Sequence, residues 1–214
     1  MASSSTILLS TAYLPPVQYI GKFLAADTIY IEKHENFQKQ SYRNRCYIYG
    51  ANGRQCLVIP VKKTHGEKTP IAEVEIDYQK AWQKIHLKSI QSAYHTSPFY
   101  EYYADDFNIF FQERIVHLFE WNFQLLYYIL RTLNMTVNVK VTHAYEKKPA
   151  DYNDLRQSIH PKKRLHKTDK YFACIPYVQV FQERYGFIPN LSIIDLLFNE
   201  GPNARNVLKM NNEQ

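Results

Sequence analysis

Ile7-Leu8-Leu9-Ser10-Thr11-Ala12-Tyr13-Leu14-Pro15-Pro16 decides the fold of this chain. Its three aliphatic residues read as a short buried strand. Ser10 to Pro16 is a turn that opens a helix over about Val17 to Ala25. Proline is tolerated in a first helical turn, where its missing N–H would have no partner anyway. Asp27-Thr28 then leads into a second strand, Ile29-Tyr30-Ile31. Strand, loop, helix and strand in so short a run make a βαβ unit, which pairs its strands in parallel. Such units bind ligands beyond the carboxyl ends of their strands. Ser10 to Tyr13 and the segment starting at Glu32 therefore share one functional edge.

Outward from this unit, Cys46-Tyr47-Ile48-Tyr49 and Cys56-Leu57-Val58-Ile59-Pro60-Val61 flank the turn signal Gly50-Ala51-Asn52-Gly53 and predict a hairpin. Lys62 to Thr69 reads as a charged loop around Gly66, and Ile71 to Ile76 alternates apolar and acidic residues as a further strand would. Trp82, Ile85, His86, Ser89, Ile90, Ala93 and Tyr94 recur at helical spacing on one face, and Ser97-Pro98 ends that helix. Phe99 to Leu133 reads as one long helix or two, and Met135 to Val141 as a strand. Ser192 and Asp195 have the spacing of a capping box, and Gly201-Pro202 closes that helix. The predicted fold class is α/β: a mixed sheet seeded by an N-terminal βαβ unit, with a substantial α-helical part in the second half. One domain is expected over 1–214, sheet-rich over about 7–77 and helical over about 78–133. A lid-like basic segment over about 144–170 and C-terminal helices over about 176–209 complete it.

The net charge of +6 favours an anionic partner, whether phosphate, nucleotide or nucleic acid. Lys147, Lys148, Lys162, Lys163, Arg164, Lys167 and Lys170 concentrate that charge in one late segment. The 18 tyrosines and 12 phenylalanines against 6 glycines suit a pocket lined by phenols, or half-buried rings with wet hydroxyls. Cys46, Cys56 and Cys174 are odd in number and lack a CxxC spacing, which excludes a disulfide framework or zinc ribbon and fits a reducing compartment. Met1 to Leu9 has no basic region of a signal peptide, and no stretch reaches the ~20 apolar residues that span a bilayer. A cytoplasmic location without membrane contact is the expectation.

Several blocks stand in a fixed order: Thr11-Ala12-Tyr13-Leu14-Pro15, Gln40-Ser41-Tyr42-Arg43-Asn44-Arg45, Leu57 to Lys63, Trp82 with His86, Ala93-Tyr94, and Pro98-Phe99-Tyr100. In this order the chain resembles the WbqC-like protein family over roughly 7–103, and further through Pro189 to Gly201. Many members carry Gln-Pro ahead of the Tyr-Leu-Pro motif, where Ser10-Thr11 stand here, and an aromatic residue after it, where Pro16 stands. Genes of the family are often found among those for O-antigen and other surface polysaccharides. The resemblance thus implies work on an activated sugar, by acyl or aminoacyl transfer.

Gln40 to Arg45 is the densest set of candidate ligand groups. Arginine offers a planar fork suited to carboxylate or phosphate oxygens, and asparagine adds a donor and an acceptor. If the stretch is extended, Arg43 and Arg45 share one face and Asn44 takes the other. Two such arginines can clamp a diphosphate, or one can pair with Glu73 or Glu75. His86 is the candidate proton carrier, with Trp82 and Tyr94 on its helix face. Aromatic walls would lower its pKa and a nearby Glu32 or Glu35 would raise it; the alternative is a core histidine satisfied by its backbone. Thr11 and Ser10 offer hydroxyls, Tyr13 a phenol, and Glu32 with His34 an acid–base pair. Glu32, His34 and Glu35 match no metal-site spacing, so no metal is expected, and no residue names a cofactor. Cys46 and Cys56 read as small buried hydrophobes. The expectation is a transferase that binds a nucleotide sugar, a carboxylate or an acyl donor. A non-catalytic binder of a glycan precursor or carrier is the second reading, and a nucleic-acid binder the third.

Overall fold

The structure, a computed structural model, describes residues 5–62, 68–162, 165 and 167–212. The stretch around Gly66 and the Lys163-Arg164 pair lie outside the described residues. The α/β class and its βαβ seed are as predicted: strand β1 (Thr6–Ser10), helix α1 (Val17–Ala25) and strand β2 (Thr28–Glu32), with β1 and β2 parallel. Two further parallel strands, β5 (Asn138–Val141) and β6 (Asn153–Asp154), complete a sheet of order β5-β2-β1-β6. The hairpin of β3 (Arg45–Gly50) and β4 (Gly53–Val58) forms its own antiparallel sheet and turns through Ala51-Asn52.

The helices are α2 (Trp82–Tyr94), α3 (Tyr100–Phe110), α4 (Leu118–Thr132), α5 (Gln182–Tyr185), α6 (Ile193–Glu200) and α7 (Ala204–Met210). Between α3 and α4 the chain is extended, because Glu75 bridges His117 and the N–H of Ile76 takes the carbonyl of Val116. Ile71 to Ile76 is not the strand its alternation predicted. Ile71–Glu73 is a 3-10 turn after Pro70, and the burial of Ile71, Val74 and Ile76 steps by three and then two. Nor does Ser192 form a capping box with Asp195. Its hydroxyl donates to the carbonyl of Leu14, while the Asp195 carboxylate is buried against Tyr94, Tyr177 and Gln179. No helix among the described residues is long and apolar enough to cross a membrane.

The core runs from the sheet through an aromatic stack of Trp82, Trp121, Phe111, Phe107 and Phe198. The loop from β1 to α1 is locked onto it. The Val17 N–H donates to the Leu191 carbonyl and the Ile193 N–H to the Pro15 carbonyl. Leu14, fully buried, is held at φ +40, a left-handed conformation that a non-glycine residue adopts only when its surroundings compel it.

Two glycines at positive φ separate strain from crowding. Gly201 has φ +53, and a Cβ there would lie 2.4 Å from the Phe99 ring. Gly53 has φ +90 with nothing within 4 Å. Gly201→Ala is expected to lower stability by more than about 2 kcal/mol and Gly53→Ala by only about 1 kcal/mol. Urea unfolding of both variants measures the difference.

Candidate functional site

The carboxyl ends of the parallel strands carry two buried ion pairs. Glu32 ends β2, is fully buried, and accepts from Arg156 Nη1 at 2.8 Å, Thr142 Oγ1 at 2.8 Å and the His34 N–H at 2.8 Å. Glu35, three residues on, accepts from Arg43 Nε at 2.8 Å and again from Arg43 Nη2. Ser10, at the end of β1, sits between the pairs. Arg43 Nη2 donates to its Oγ at 2.7 Å, and its hydroxyl has the Glu35 carboxylate at 3.2 Å and the Arg156 carbonyl at 3.1 Å as acceptors. Both arginines and both glutamates are at least nine-tenths buried.

Arg156 also forks onto Asp154, with its Nε 2.9 Å from Oδ1, and donates to the Glu146 carbonyl. Burial works against its charge, yet the bond and charge of Asp154 and the charge of Glu32 outweigh burial and raise its pKa further. Asp154 is pulled below the usual carboxylate range in turn, burial being overcome by the Arg156 guanidinium. A narrow cavity of about 10 Å³ opens against Ser10, Thr11, Tyr42, Arg43 and Arg156, room for about one water. Leu155 and Ile159 close it from the segment between residues 144 and 170.

The expected site residues fall into separate settings. Thr11, Arg43 and Glu32 belong to this edge. Tyr13 and His86 meet: the phenol lies 2.9 Å from Nδ1. Trp82 stands edge-on to the imidazole at 5.1 Å. Burial pushes the His86 pKa down to about 4, only partly offset by the nearby Val58 backbone, so the ring is neutral near pH 7. Tyr94 is apart from them, donating to Asp195 at 2.8 Å and accepting from the Tyr49 N–H. Burial raises the Asp195 pKa although Tyr177, Tyr94 and Gln179 all donate to it.

Asn44 clasps the end of the hairpin, donating to the Ile59 carbonyl at 2.9 Å, while Gln40 is exposed at φ +61. Arg43 pairs with Glu35 rather than with Glu73 or Glu75, and Arg45 makes no ion pair among the described residues. Cys46 is buried as expected, but Cys56 is exposed, because it lies on the hairpin face turned away from α2. No cluster of metal-ligating side chains occurs among the described residues.

Sequence reading missed Arg156, Asp154, Thr142 and His160. The available signal was the spacing of Asp154 and Arg156, two apart where a short strand passes into a turn, with Leu155 and Ile159 as the apolar residues beside them. A roomier cavity, about 770 Å³, lies at the opposite edge of the sheet among Thr6, Lys22, Tyr152, Lys167, Asp169 and Tyr171. Its buried cation, Lys22, is already paired with Asp169.

The model of the WbqC-like protein family matches the chain over residues 11–173 and 167–207. No curated protein and no solved structure matches it.

Two measurements test this electrostatic account. Arg43→Met leaves Glu35 buried without its partner and is expected to cost about 3–5 kcal/mol, most of it recovered when Glu35→Met is added. A double-mutant cycle in urea measures both steps. His86 has a folded pKa of about 4 against an ordinary 6.5. Its contribution is therefore intact above pH 6.5 and declines as pH falls toward 4, by about 3 kcal/mol in all. Unfolding free energies taken across that range should show this slope, flattened in His86→Gln.

Proposed function

The chain belongs to the WbqC-like protein family, and from that premise we propose that it is a cytoplasmic transferase of surface-polysaccharide biosynthesis. It transfers an acyl or aminoacyl group to an activated sugar at the carboxyl edge of its parallel sheet. The observation that carries this reading is the Ser10 hydroxyl held between the Arg43 guanidinium and the Glu35 carboxylate. In acyl transfer from a thioester or activated ester, the sugar's amine or hydroxyl adds to the carbonyl, negative charge develops on the carbonyl oxygen and a proton leaves the attacking group. Collapse then breaks the bond to the donor's thiol or alcohol, which departs with that proton. Arg43 Nη2 and the Ser10 hydroxyl are donors for the developing charge, fixed in place before reaction, and Glu35 is the adjacent acceptor for the proton. The Leu155 and Ile159 side chains shift aside to admit substrate while Arg156 keeps its pair with Glu32, since the closed cavity holds about one water. His86 positions the β1–α1 loop through Tyr13 rather than carrying the proton, because burial makes its ring a weak base and Tyr13 engages Nδ1.

That same engagement of His86 favours a second reading, a non-catalytic binder of a glycan precursor. A thermal-shift screen against nucleotide sugars, acyl carriers and amino acids, followed by turnover assays on the hits, tests both. A saturating ligand should raise the midpoint by about 5–10 °C. Ser10→Ala should then cut kcat by about a hundredfold with KM little changed. Binding without turnover would leave the second reading standing, and turnover unaffected by Ser10→Ala would remove the hydroxyl from the mechanism.

A further inference from the structure

Beside this edge, two nitrogen donors have no partner among the described residues. Arg45 Nε is buried and unbonded, and its guanidinium faces no carboxylate within ion-pair distance among the described residues. His160, only 7 % exposed, accepts the Lys162 N–H at its Nδ1, 3.0 Å away. The neutral ring therefore carries its proton on Nε2, which has no partner among the described residues. The two residues belong to one neighbourhood. Ile159, which precedes His160, lines the small cavity with Tyr42 and Arg43, two positions before Arg45. The Arg45 Nε, buried without an acceptor, costs stability unless water or a ligand completes it.

We infer that Arg45, His160 and Lys162 form a subsite for a phosphoryl group, the anionic end of the small molecule that the edge binds. The inference rests on the reading of that edge as a ligand site. A carboxylate needs little more than one guanidinium fork, whereas donors from a guanidinium, an imidazole and an ammonium suit three terminal phosphoryl oxygens. The field has the right sign. Burial first, then the charges of Arg43, Lys162 and Arg45, hold His160 below its ordinary pKa. A bound dianion would offset those three cations and raise it. The group would also tie strand β3, which carries Arg45, to the segment that covers Ser10, which carries His160 and Lys162.

Calorimetric titration of the full chain with inorganic phosphate and with pyrophosphate, with acetate as the comparison, tests the subsite. Phosphate or pyrophosphate should bind and acetate should bind at least tenfold more weakly. Arg45→Gln and His160→Asn should each weaken the phosphate by about tenfold or more. His160→Asn keeps an acceptor for the Lys162 N–H while deleting the Nε2 donor, so the loop should stay folded, as circular dichroism will report. Independently, the His160 ring followed by nitrogen-15 spectroscopy should titrate at higher pH with phosphate present than without. Absence of binding, equal binding of acetate, or affinity unchanged in both variants overturns the subsite. Phosphate binding with no turnover of any activated sugar would leave the subsite intact and remove the transferase reading, and turnover indifferent to Arg45→Gln would do the reverse.

Discussion

Two carboxylates buried at the end of one strand govern this structure. Glu32 and Glu35 stand where β2 runs out, both almost wholly removed from water. An uncompensated carboxylate there would cost several kcal/mol, so each must meet a cation with good geometry. One cation is near and one far along the chain: Arg43 lies eight residues after Glu35, in the turn ahead of the hairpin, and Arg156 just beyond β6, 124 residues after Glu32. Meeting that demand brings the hairpin and the 154–156 segment to the same edge. It thereby sets Ser10 between two guanidinium-bearing segments at the carboxyl end of β1.

The charged residues nearby then divide by whether the protein satisfies them. Arg156 is taken up by carboxylates, whereas Arg43 pairs with Glu35 and also donates to the Ser10 hydroxyl. Asp195, although ionisable and fully buried, is closed by three donors and serves the core. His86 is neutral near pH 7 and lies between Tyr13, which meets its Nδ1, and Trp82. Arg45 and His160 differ, since among the described residues each has a donor that no neighbouring group takes up. Such donors are completed by water or by a ligand.

Much of the fold was legible because its signals are local. Ile7-Leu8-Leu9, the proline-led start of α1 and Ile29-Tyr30-Ile31 each declare their state within a few residues, and the loop between them leaves parallel pairing as the short-range solution. The hairpin turn was legible for the same reason. Ile71 to Ile76 misled because alternation records only which side chains are buried. There the backbone hydrogen bonds go separately to Pro70, Val116 and Leu118, so no ladder forms. Ser192 and Asp195 misled similarly, since tertiary partners outbid the local cap: the Leu14 carbonyl for one and two tyrosines for the other.

At the site, the sequence by itself determined that polar groups would gather beyond β1 and β2, because a βαβ unit points its strand ends to one edge. It also determined that Arg43 and its neighbours would be expensive to place without anionic partners. Only the tertiary structure decided which partners those were. Glu35 rather than Glu73 or Glu75 takes Arg43, Tyr94 joins Asp195 instead of His86, and Arg156 closes Glu32. The physical reason is range. Strand and turn preferences act through a residue and its immediate neighbours, whereas the burial of a charge is settled by whatever the folded chain brings within hydrogen-bond distance.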